Sequence, residues 1–304
     1  LTVTGCFAAV HRGPDRPTAQ RTIDRVLGVA VVLAVPWFLV NADPAASLAR
    51  LEATSADLAP YPRGLLHEQF AYHHQAAGNR DETIRHYRKA GQVCSNHPRF
   101  HAIYGTYMLN LGDLTTAIAA YDRAVAADPA YVYGLKMGLV ARVLNEDFAG
   151  ALGPARRLEE LGAQDAEAAA AHGTAARQTG RIDEAVAAFL RGYGRDPSRL
   201  DLLENAAGLQ LLTRHYAAAA ANFRTLLAAL PDRTGPALGL ADALWQDHLA
   251  GSDAPTGPAA RARLSEVVAL IDRVIAGGGG PTGDTVALAD WRDQVQARLV
   301  EIED

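Results

Sequence analysis

Small, aromatic and turn-forming residues recur every 34 residues along the middle of the chain, and this recurrence constrains the fold more than any other feature. The first register holds small residues: Thr83, Ala117, Ala151, Ala185 and Ala219. The second is aromatic with one exception: Tyr87, Tyr121, Ala155, Phe189 and Phe223. The third holds glycine with two exceptions: Gly78, Gly112, Glu146, Gly180 and Arg214. Several registers that share one period predict that one structural unit is repeated.

The stretch from Pro98 to Tyr131 is the best-preserved copy of this unit. Its apolar residues predict two amphipathic helices of about a dozen residues, joined by a tight turn at Gly112. Gly105 and Ala117 are small, so we expect the two helices to approach closely. The equivalent positions in the first helices are Ala71, Gly105, Leu139, Gly173 and Ala207. Two helices alone bury too little surface to be stable, so each unit needs neighbours with the same faces.

Three motifs of Pro98–Tyr131, G-x-x-x-x-x-x-G, A-x-x-x-F/Y and a closing D-P, resemble the tetratricopeptide repeat family. The resemblance is strong over residues 63–231 and weaker over 234–276. It implies an all-α fold, namely a right-handed α-solenoid of helix-turn-helix pairs. An apolar run before the repeats predicts, in addition, an N-terminal transmembrane helix. The third pair, about 132–163, departs from the pattern, and Pro154 lies near the first turn of its second helix, where proline costs least.

The predicted organisation has five parts. These are an apolar end with an Arg-rich cytoplasmic segment (1–25), a transmembrane helix (26–42), a connecting helix (43–62), the repeat array (63–276) and a Gly-rich linker with a capping helix (277–304). The array holds about five clear repeats and one degenerate repeat. We expect the first pair to begin near Gly64. We expect the last helix to bury Val286, Trp291, Val295 and Leu299 on one face against the end of the stack.

The apolar run Val26–Val40 predicts a membrane anchor. Four arginines precede it, at positions 12, 16, 21 and 25, which indicates that this end is cytoplasmic and that the repeats face the periplasm or the cell exterior. A cleavable signal peptide ending at Ala42 and a buried helix of a soluble protein are the alternatives. Only Lys89 and Lys136 are lysines among 29 basic residues, which together with abundant alanine and glycine indicates a GC-rich bacterial source.

Residues 1–10 are also apolar and leave a further alternative open. The repeats would then form the C-terminal tail of a multi-span membrane enzyme of cell-envelope polysaccharide or glycosyl transfer. A secreted periplasmic binding module is the third reading, and it requires cleavage before Asp43. The leading prediction is a single-anchor scaffold.

No catalytic set is apparent in the sequence, and we predict neither an enzyme nor a cofactor site. The net charge of −5 argues against nucleic-acid binding, which normally requires a basic face. Six of the ten histidines fall between positions 67 and 101: His67, His73, His74, His86, His97 and His101. His67 and His74 lie two helical turns apart, and the adjacent His73 and His74 point in different directions, so the sequence predicts no metal site.

By analogy with the family, the first helices should line a concave groove that binds a protein or peptide segment, with no small-molecule substrate. The predicted groove residues are Glu68, Tyr72, Gln75, Arg99, Thr106, Asn110, Tyr133, Lys136, Glu167, Thr174, Arg177, Gln178, Asp201, Glu204 and Asn205. Some family members clamp a partner's C-terminal carboxylate with Lys and Asn. Here Val140 follows Lys136 by one turn, and Glu68 and Glu204 would repel a carboxylate, so that clamp is not expected.

Overall fold

The computed structural model describes residues 52–53, 58–251, 257–278 and 284–303. Within these ranges the chain forms thirteen helices of thirteen residues or more and no strand, which confirms the predicted all-α fold. None of these helices has the length and apolar character needed to cross a membrane. The predicted transmembrane helix at 26–42 lies outside the described residues.

The chain divides into two compact units between Asn145 and Glu146. The helices of the first unit are α1 (Pro60–Ala76), α2 (Arg80–Val93), α3 (Pro98–Asn110), α4 (Leu114–Ala127) and α5 (Val132–Leu144). Each helix of this unit packs against the next, and α3 also contacts α5. Short connections between packed helices make consecutive helices antiparallel neighbours, as a fold of helix pairs requires.

The second unit contains eight described helices. They are α6 (Phe148–Glu160), α7 (Ala166–Gln178), α8 (Ile182–Arg195), α9 (Leu200–Leu212), α10 (Tyr216–Ala229), α11 (Thr234–Ala250), α12 (Pro258–Ala276) and α13 (Thr285–Glu303). Here too each helix packs against its successor, and α9 also contacts α11. The predicted helices at 236–249, 259–276 and 284–302 are thus present, with ends that differ by one or two residues.

Short polar side chains and prolines start several helices. The Asp113 carboxylate accepts a hydrogen bond from the Thr116 backbone N–H at 3.0 Å, and this satisfies one of the free donors at the start of α4. Asp147 and Asp165 cap α6 and α7 in the same way. Pro98 occupies the first turn of α3, where its missing N–H costs nothing.

The expected starts of two helices are wrong. Pro60 and Pro62 lie in the first turn of α1 and begin that helix, so the first pair starts before Gly64. Pro154 lies in the interior of α6, because the Asp147 cap starts that helix at Phe148. The helix continues through Pro154 without a break. A proline there removes one backbone hydrogen bond, which helical packing compensates.

The turn inside each pair uses the left-handed backbone conformation at one fixed position. Gly78, Gly112 and Gly180 have φ angles of 75°, 79° and 73°. Glu146 and Arg214 occupy the same register and keep the conformation, with φ angles of 58° and 62°. After α9 the His215 N–H donates to the Gln210 carbonyl at 2.8 Å, and the equivalent bond after α3 joins Asp113 to Met108 at 3.0 Å. This pattern closes a helix only when the preceding residue is left-handed.

Small residues of the first helices face aromatic rings of the second helices. A Cβ atom on Gly105 would lie 2.9 Å from the Tyr121 ring, and one on Gly173 would lie 2.6 Å from the Phe189 ring. Real Cβ atoms do not approach other atoms this closely, so the expected close approach of the paired helices is confirmed. Tyr121 is 0% exposed, which shows that the ring is fully enclosed by this packing.

The last helix closes one end of the second unit's core. Val295 is fully buried, and Trp291 and Leu299 pack against the cluster that includes Leu244. These contacts place three of the four predicted residues on the buried face of the helix. The expectation for Val286 is wrong, because its side chain is 70% exposed and lies outside the buried face.

We predict that Arg214→Gly and Glu146→Gly each raise the free energy of unfolding by about 0.5–1 kcal/mol. Both side chains are exposed, so their removal loses little packing, whereas glycine relieves the strain of a positive φ. Urea denaturation of the purified chain measures the change. The matched control is Gly180→Ala at the same register, which should lower stability by about 1 kcal/mol. A loss of stability in both glycine variants would show that the turn conformation carries no strain.

Candidate protein-binding surface

The predicted groove residues of the first unit lie on α1, α3 and α5, the first helices of successive pairs. We call this set the first-unit face: Glu68, Tyr72, Gln75, Arg99, Thr106, Asn110, Tyr133 and Lys136. Exposure differs strongly among them. Tyr72 and Tyr133 are 45% and 43% exposed, Asn110 is exposed, and Lys136 is half-buried. The residues available to a partner are therefore mainly aromatic and neutral.

Glu68 is the buried member of the first-unit face, with a side chain only 2% exposed. Its two carboxylate oxygens accept hydrogen bonds from the two terminal nitrogens of Arg99, both at 2.6 Å. Bidentate pairing of this kind fixes the geometry and satisfies the buried charge. Glu68 consequently holds Arg99 in place and does not itself present a free carboxylate to a partner.

A hydroxyl network holds Tyr133 in position. The Thr106 hydroxyl donates to the Ala102 carbonyl at 3.0 Å, and its oxygen lies 3.1 Å from the Tyr121 hydroxyl and 2.9 Å from the Tyr133 hydroxyl. Because a threonine hydroxyl carries one proton, both tyrosines donate to its oxygen. Burial raises the pKa of Tyr121 to about 12, so this donor stays protonated at neutral pH. The Tyr133 ring is thus exposed yet fixed.

An aromatic contact with Tyr87 fixes the position of the Tyr72 ring. Its ring meets the Tyr87 ring edge-on, with centroids 5.9 Å apart. The Tyr87 hydroxyl in turn donates to the side-chain carbonyl of Gln75 at 3.1 Å. Two exposed tyrosines on one face therefore have defined orientations before any partner binds, which lowers the entropic cost of binding.

The predicted groove residues of the second unit lie on α7 and α9. This second-unit face consists of Glu167, Thr174, Arg177, Gln178, Asp201, Glu204 and Asn205. Four of them, Arg177, Asp201, Glu204 and Asn205, line an open pocket of about 310 Å³ together with Gly208 and Leu209. Thr174 is half-buried and donates to the Ala170 carbonyl, while Glu167 and Gln178 are exposed outside this pocket.

Neighbouring arginines neutralise the acids of this pocket. Both oxygens of Asp201 accept hydrogen bonds from Arg199 at 2.8 Å, and these bonds lower the pKa of Asp201. Glu204 accepts from Arg233 at 3.1 Å. The expected repulsion of a carboxylate by Glu204 is therefore weakened, because the pocket carries nearly balanced charge.

Arg177 and Asn205 give the pocket its hydrogen-bonding capacity. Arg177 donates to the Asn205 side-chain oxygen at 3.2 Å, and the Asn205 amide donates to the Asp201 carbonyl at 2.7 Å. A guanidinium has five N–H donors, so Arg177 retains donors for a bound group. The sequence analysis missed Gly208 and Leu209, although Gly208 follows Asn205 by three residues and thus shares its helix face.

A second open pocket, of about 550 Å³, lies between α11 and α13 in the second unit. Trp245 and Trp291 line it, with Leu238 and Leu288 as further apolar residues and Asp242 and Gln246 as polar ones. The sequence led us to expect Trp291 to be buried. Its partial exposure follows from the position of α13, which is the last described helix of this unit.

Comparison with known proteins agrees with the helix-pair architecture. Residues 101–131 match the family model described as tetratricopeptide repeat. The chain therefore contains a tetratricopeptide repeat. The matched residues run from the first turn of α3 to the residue before α5, and so include most of α3 and all of α4. No curated protein matches the sequence significantly.

Several solved structures align with part of the chain at low sequence identity. Residues 41 to the end of MamA from Desulfovibrio magneticus RS-1 are 16% identical, with a TM-score of 0.47 over 54% of this chain and 93% of that chain. YrrB, a tetratricopeptide-repeat protein with an unusual peptide-binding site, is 12% identical, with a TM-score of 0.49 over 60% and 91%. PilW, a type IV pilus biogenesis factor, is 16% identical, with a TM-score of 0.43 over 69% and 94%.

The first helix pair also contains a cluster of buried histidines. His67 on α1 and His86 on α2 are 0% and 2% exposed, and their rings lie 5.3 Å apart. Burial lowers the pKa of each imidazole to about 4, so both are neutral at pH 7. His74, two turns after His67 on α1, stacks on His86 with ring centroids 5.4 Å apart. Spacing along one helix does not reveal that His86 lies beside His67, because the two residues belong to different helices.

We predict that Arg99→Ala lowers the free energy of unfolding by about 1.5–3 kcal/mol, because it leaves the buried Glu68 carboxylate without its partner. Replacing Glu68 by Gln in the same chain should recover part of the loss, since a neutral amide is cheaper to bury. The control Arg123→Ala removes an exposed arginine of α4 and should change stability by less than about 0.5 kcal/mol. Urea denaturation measures all three; equal small losses for both arginines would contradict the assignment.

Proposed function

We propose that this tetratricopeptide-repeat protein is a non-catalytic scaffold that binds a segment of a partner protein on the first-helix faces of its repeats. We further propose that residues 26–42 anchor it in a bacterial cytoplasmic membrane, with the repeats in the periplasm or at the cell exterior. The observation that carries the binding proposal is the pocket formed by Arg177, Asp201, Glu204 and Asn205 on the second-unit face.

The composition of this pocket favours a peptide over a small metabolite. Its volume of about 310 Å³ is at the low end for ligand sites and is open to solvent, which suits one or two side chains of a longer segment. Leu209 provides an apolar contact, while Arg177 and Asn205 provide donors for backbone carbonyls of the bound segment. The acids of the pocket are paired with neighbouring arginines, so the net charge of the pocket is low. Specificity for the bound segment would therefore depend on shape and hydrogen bonds.

The first-unit face supports the same proposal through different chemistry. Tyr72 and Tyr133 are exposed, and their contacts with Tyr87 and Thr106 respectively fix the orientation of each ring. Tyrosine is enriched at protein interfaces, because it buries a large area at low entropic cost and keeps a hydroxyl for hydrogen bonding. Asn110, exposed at the end of α3, adds a neutral polar group to this face.

Membrane attachment is supported by the sequence of residues 12–42. The apolar run Val26–Val40 follows four arginines, and Trp37 lies near its other end, where an interfacial aromatic residue stabilises a spanning helix. Positive residues stay on the cytoplasmic side of a membrane, so the repeats that follow would be translocated. A scaffold in this position would hold its partner close to the outer face of the cytoplasmic membrane.

We predict that Arg177→Glu reduces recovery of at least one co-purified protein by about tenfold or more, because a residue central to an interface contributes about 2 kcal/mol to binding. Quantitative mass spectrometry of affinity-purified material from the bacterial membrane fraction provides the measurement. Arg195→Glu is the matched control, since Arg195 is exposed on α8 outside the pocket and the charge change is the same. If every partner is recovered equally with the two variants, the second-unit face is not the binding site.

We also predict that the full chain sediments with bacterial membranes after a carbonate wash, whereas a chain lacking residues 26–42 remains in the supernatant. The physical reason is the loss of the apolar run that would span the bilayer. Protease added to intact spheroplasts should digest the repeats of the full chain. A soluble product whose N-terminus is Asp43 would favour cleavage and release, and repeats protected from protease would reverse the proposed orientation.

A further inference from the structure

Three potential metal ligands from three parts of the chain converge in the first unit. They are the Glu52 carboxylate, His67 on α1 and His86 on α2, whose ligand atoms all lie within 4.8 Å of one another. His67 and His86 are buried, and the Glu52 side chain is 25% exposed. Imidazole nitrogens with a carboxylate are the donor set that zinc and neighbouring divalent transition metals prefer.

The separation of the two imidazoles matches a shared metal. Their Nδ1 atoms face each other at 3.1 Å. Zn–N bonds of about 2.0–2.1 Å at a tetrahedral angle place two ligand nitrogens roughly 3.3–3.4 Å apart. A shift of a few tenths of an ångström therefore converts the hydrogen-bonded pair into a pair of metal ligands.

The hydrogen bonds of the His67–His86 pair leave one buried N–H donor, on His67, without a partner among the described residues. Arg85 can only donate, so the His86 Nε2 atom, 2.9 Å from an Arg85 nitrogen, is an acceptor and the His86 proton lies on Nδ1. That proton is then donated to His67 Nδ1, and the His67 proton lies on Nε2. His67 Nε2 is buried and has no hydrogen-bond partner among the described residues. An unpaired buried donor is unfavourable, so the packing here is not optimised for hydrogen bonding.

Arg85 contacts two of the three potential ligands, Glu52 and His86, and so occupies the position that a bound metal cation would take. Its guanidinium donates to both Glu52 oxygens, at 2.8 and 3.2 Å, in addition to contacting His86. Lys89 donates to the same carboxylate at 3.1 Å. The Arg85 side chain is 44% exposed, so it has room to turn outward when another cation approaches.

We propose that Glu52, His67 and His86 form a site for a divalent transition metal of the zinc type, in which Arg85 is the competing internal cation. Metal bonds to the two Nδ1 atoms require the His86 proton to move to Nε2, which ends acceptance from Arg85. The ion would then tie α1 to α2 and to the chain before α1. A fourth position remains open for water or a partner's side chain.

A second group, His74, Glu82 and His86, is less suited to metal binding. The rings of His74 and His86 are nearly parallel, with an interplanar angle of 8° and centroids 5.4 Å apart. Imidazole lone pairs lie in the ring plane, so stacked parallel rings cannot direct them at one ion. The His67 and His86 rings are inclined by 31° with their nitrogens facing, which allows both lone pairs to converge.

Isothermal titration of the purified full chain with Zn²⁺ tests the proposal, with a parallel Co²⁺ titration followed by visible absorption to report tetrahedral coordination. We expect one saturable equivalent for the unmodified chain. His67→Gln, His86→Gln and Glu52→Gln should each weaken Zn²⁺ binding by at least about 100-fold, because loss of a direct ligand exceeds the loss of an outer-shell partner. Arg85→Gln should strengthen binding roughly tenfold through reduced charge repulsion.

His73→Ala is the matched control, because His73 lies on α1 beside His74 but belongs to neither group. Its Zn²⁺ affinity should equal that of the unmodified chain. Far-UV circular dichroism identifies any variant that fails to fold. The higher Zn²⁺ affinity expected for Arg85→Gln is independent of this concern, because Arg85 is not a buried side chain. Absence of saturable Zn²⁺ binding in the unmodified chain overturns the proposal. Unchanged affinity in folded His67→Gln and Glu52→Gln overturns it as well.

Discussion

The fit of a large aromatic side chain against a small residue in the second and fourth helix pairs sets a helix spacing on which the rest of the structure depends. Tyr121 against Gly105 and Phe189 against Gly173 bring the paired helices close enough to exclude water. The third repeat departs from this arrangement, since Leu139 stands at the small position and Ala155 at the aromatic position. Both are fully buried, each within its own unit. Residue size can therefore change at these positions while burial is kept.

The turn between paired helices needs one residue in the left-handed backbone conformation, whichever amino acid stands at that position. Glu146 and Arg214 adopt the left-handed conformation that glycine adopts elsewhere in the register. This costs of order 1–2 kcal/mol for an ordinary residue, which is small beside the apolar burial that a misplaced helix would lose. Local preference yields to tertiary packing at these two turns. The connection after α9 keeps the same hydrogen bond as the turn after α3, so the geometry of the repeat is preserved.

Both units neutralise an acid of one first helix with an arginine at the start of the next. Arg99 at the beginning of α3 pairs with Glu68 of α1, and Arg233 immediately before α11 pairs with Glu204 of α9. The pairs tie successive repeats together and reduce the negative charge of the faces they line. What remains available on these faces is mostly aromatic and hydrogen-bonding in character, as in Tyr133 and Arg177. Such a surface suits recognition of a protein segment through shape and directed hydrogen bonds.

The sequence alone determined the all-α fold, the period of the repeat and the positions of its turns, because helical periodicity and glycine placement are local properties of the chain. It also identified Arg177 and Asn205 as candidates for binding. Only the tertiary structure decided that Glu68 is buried against Arg99 and that His86 meets His67. These contacts join residues 31 and 19 positions apart on different helices, so they depend on how helices pack. Spacing along one helix carries no information about such pairs.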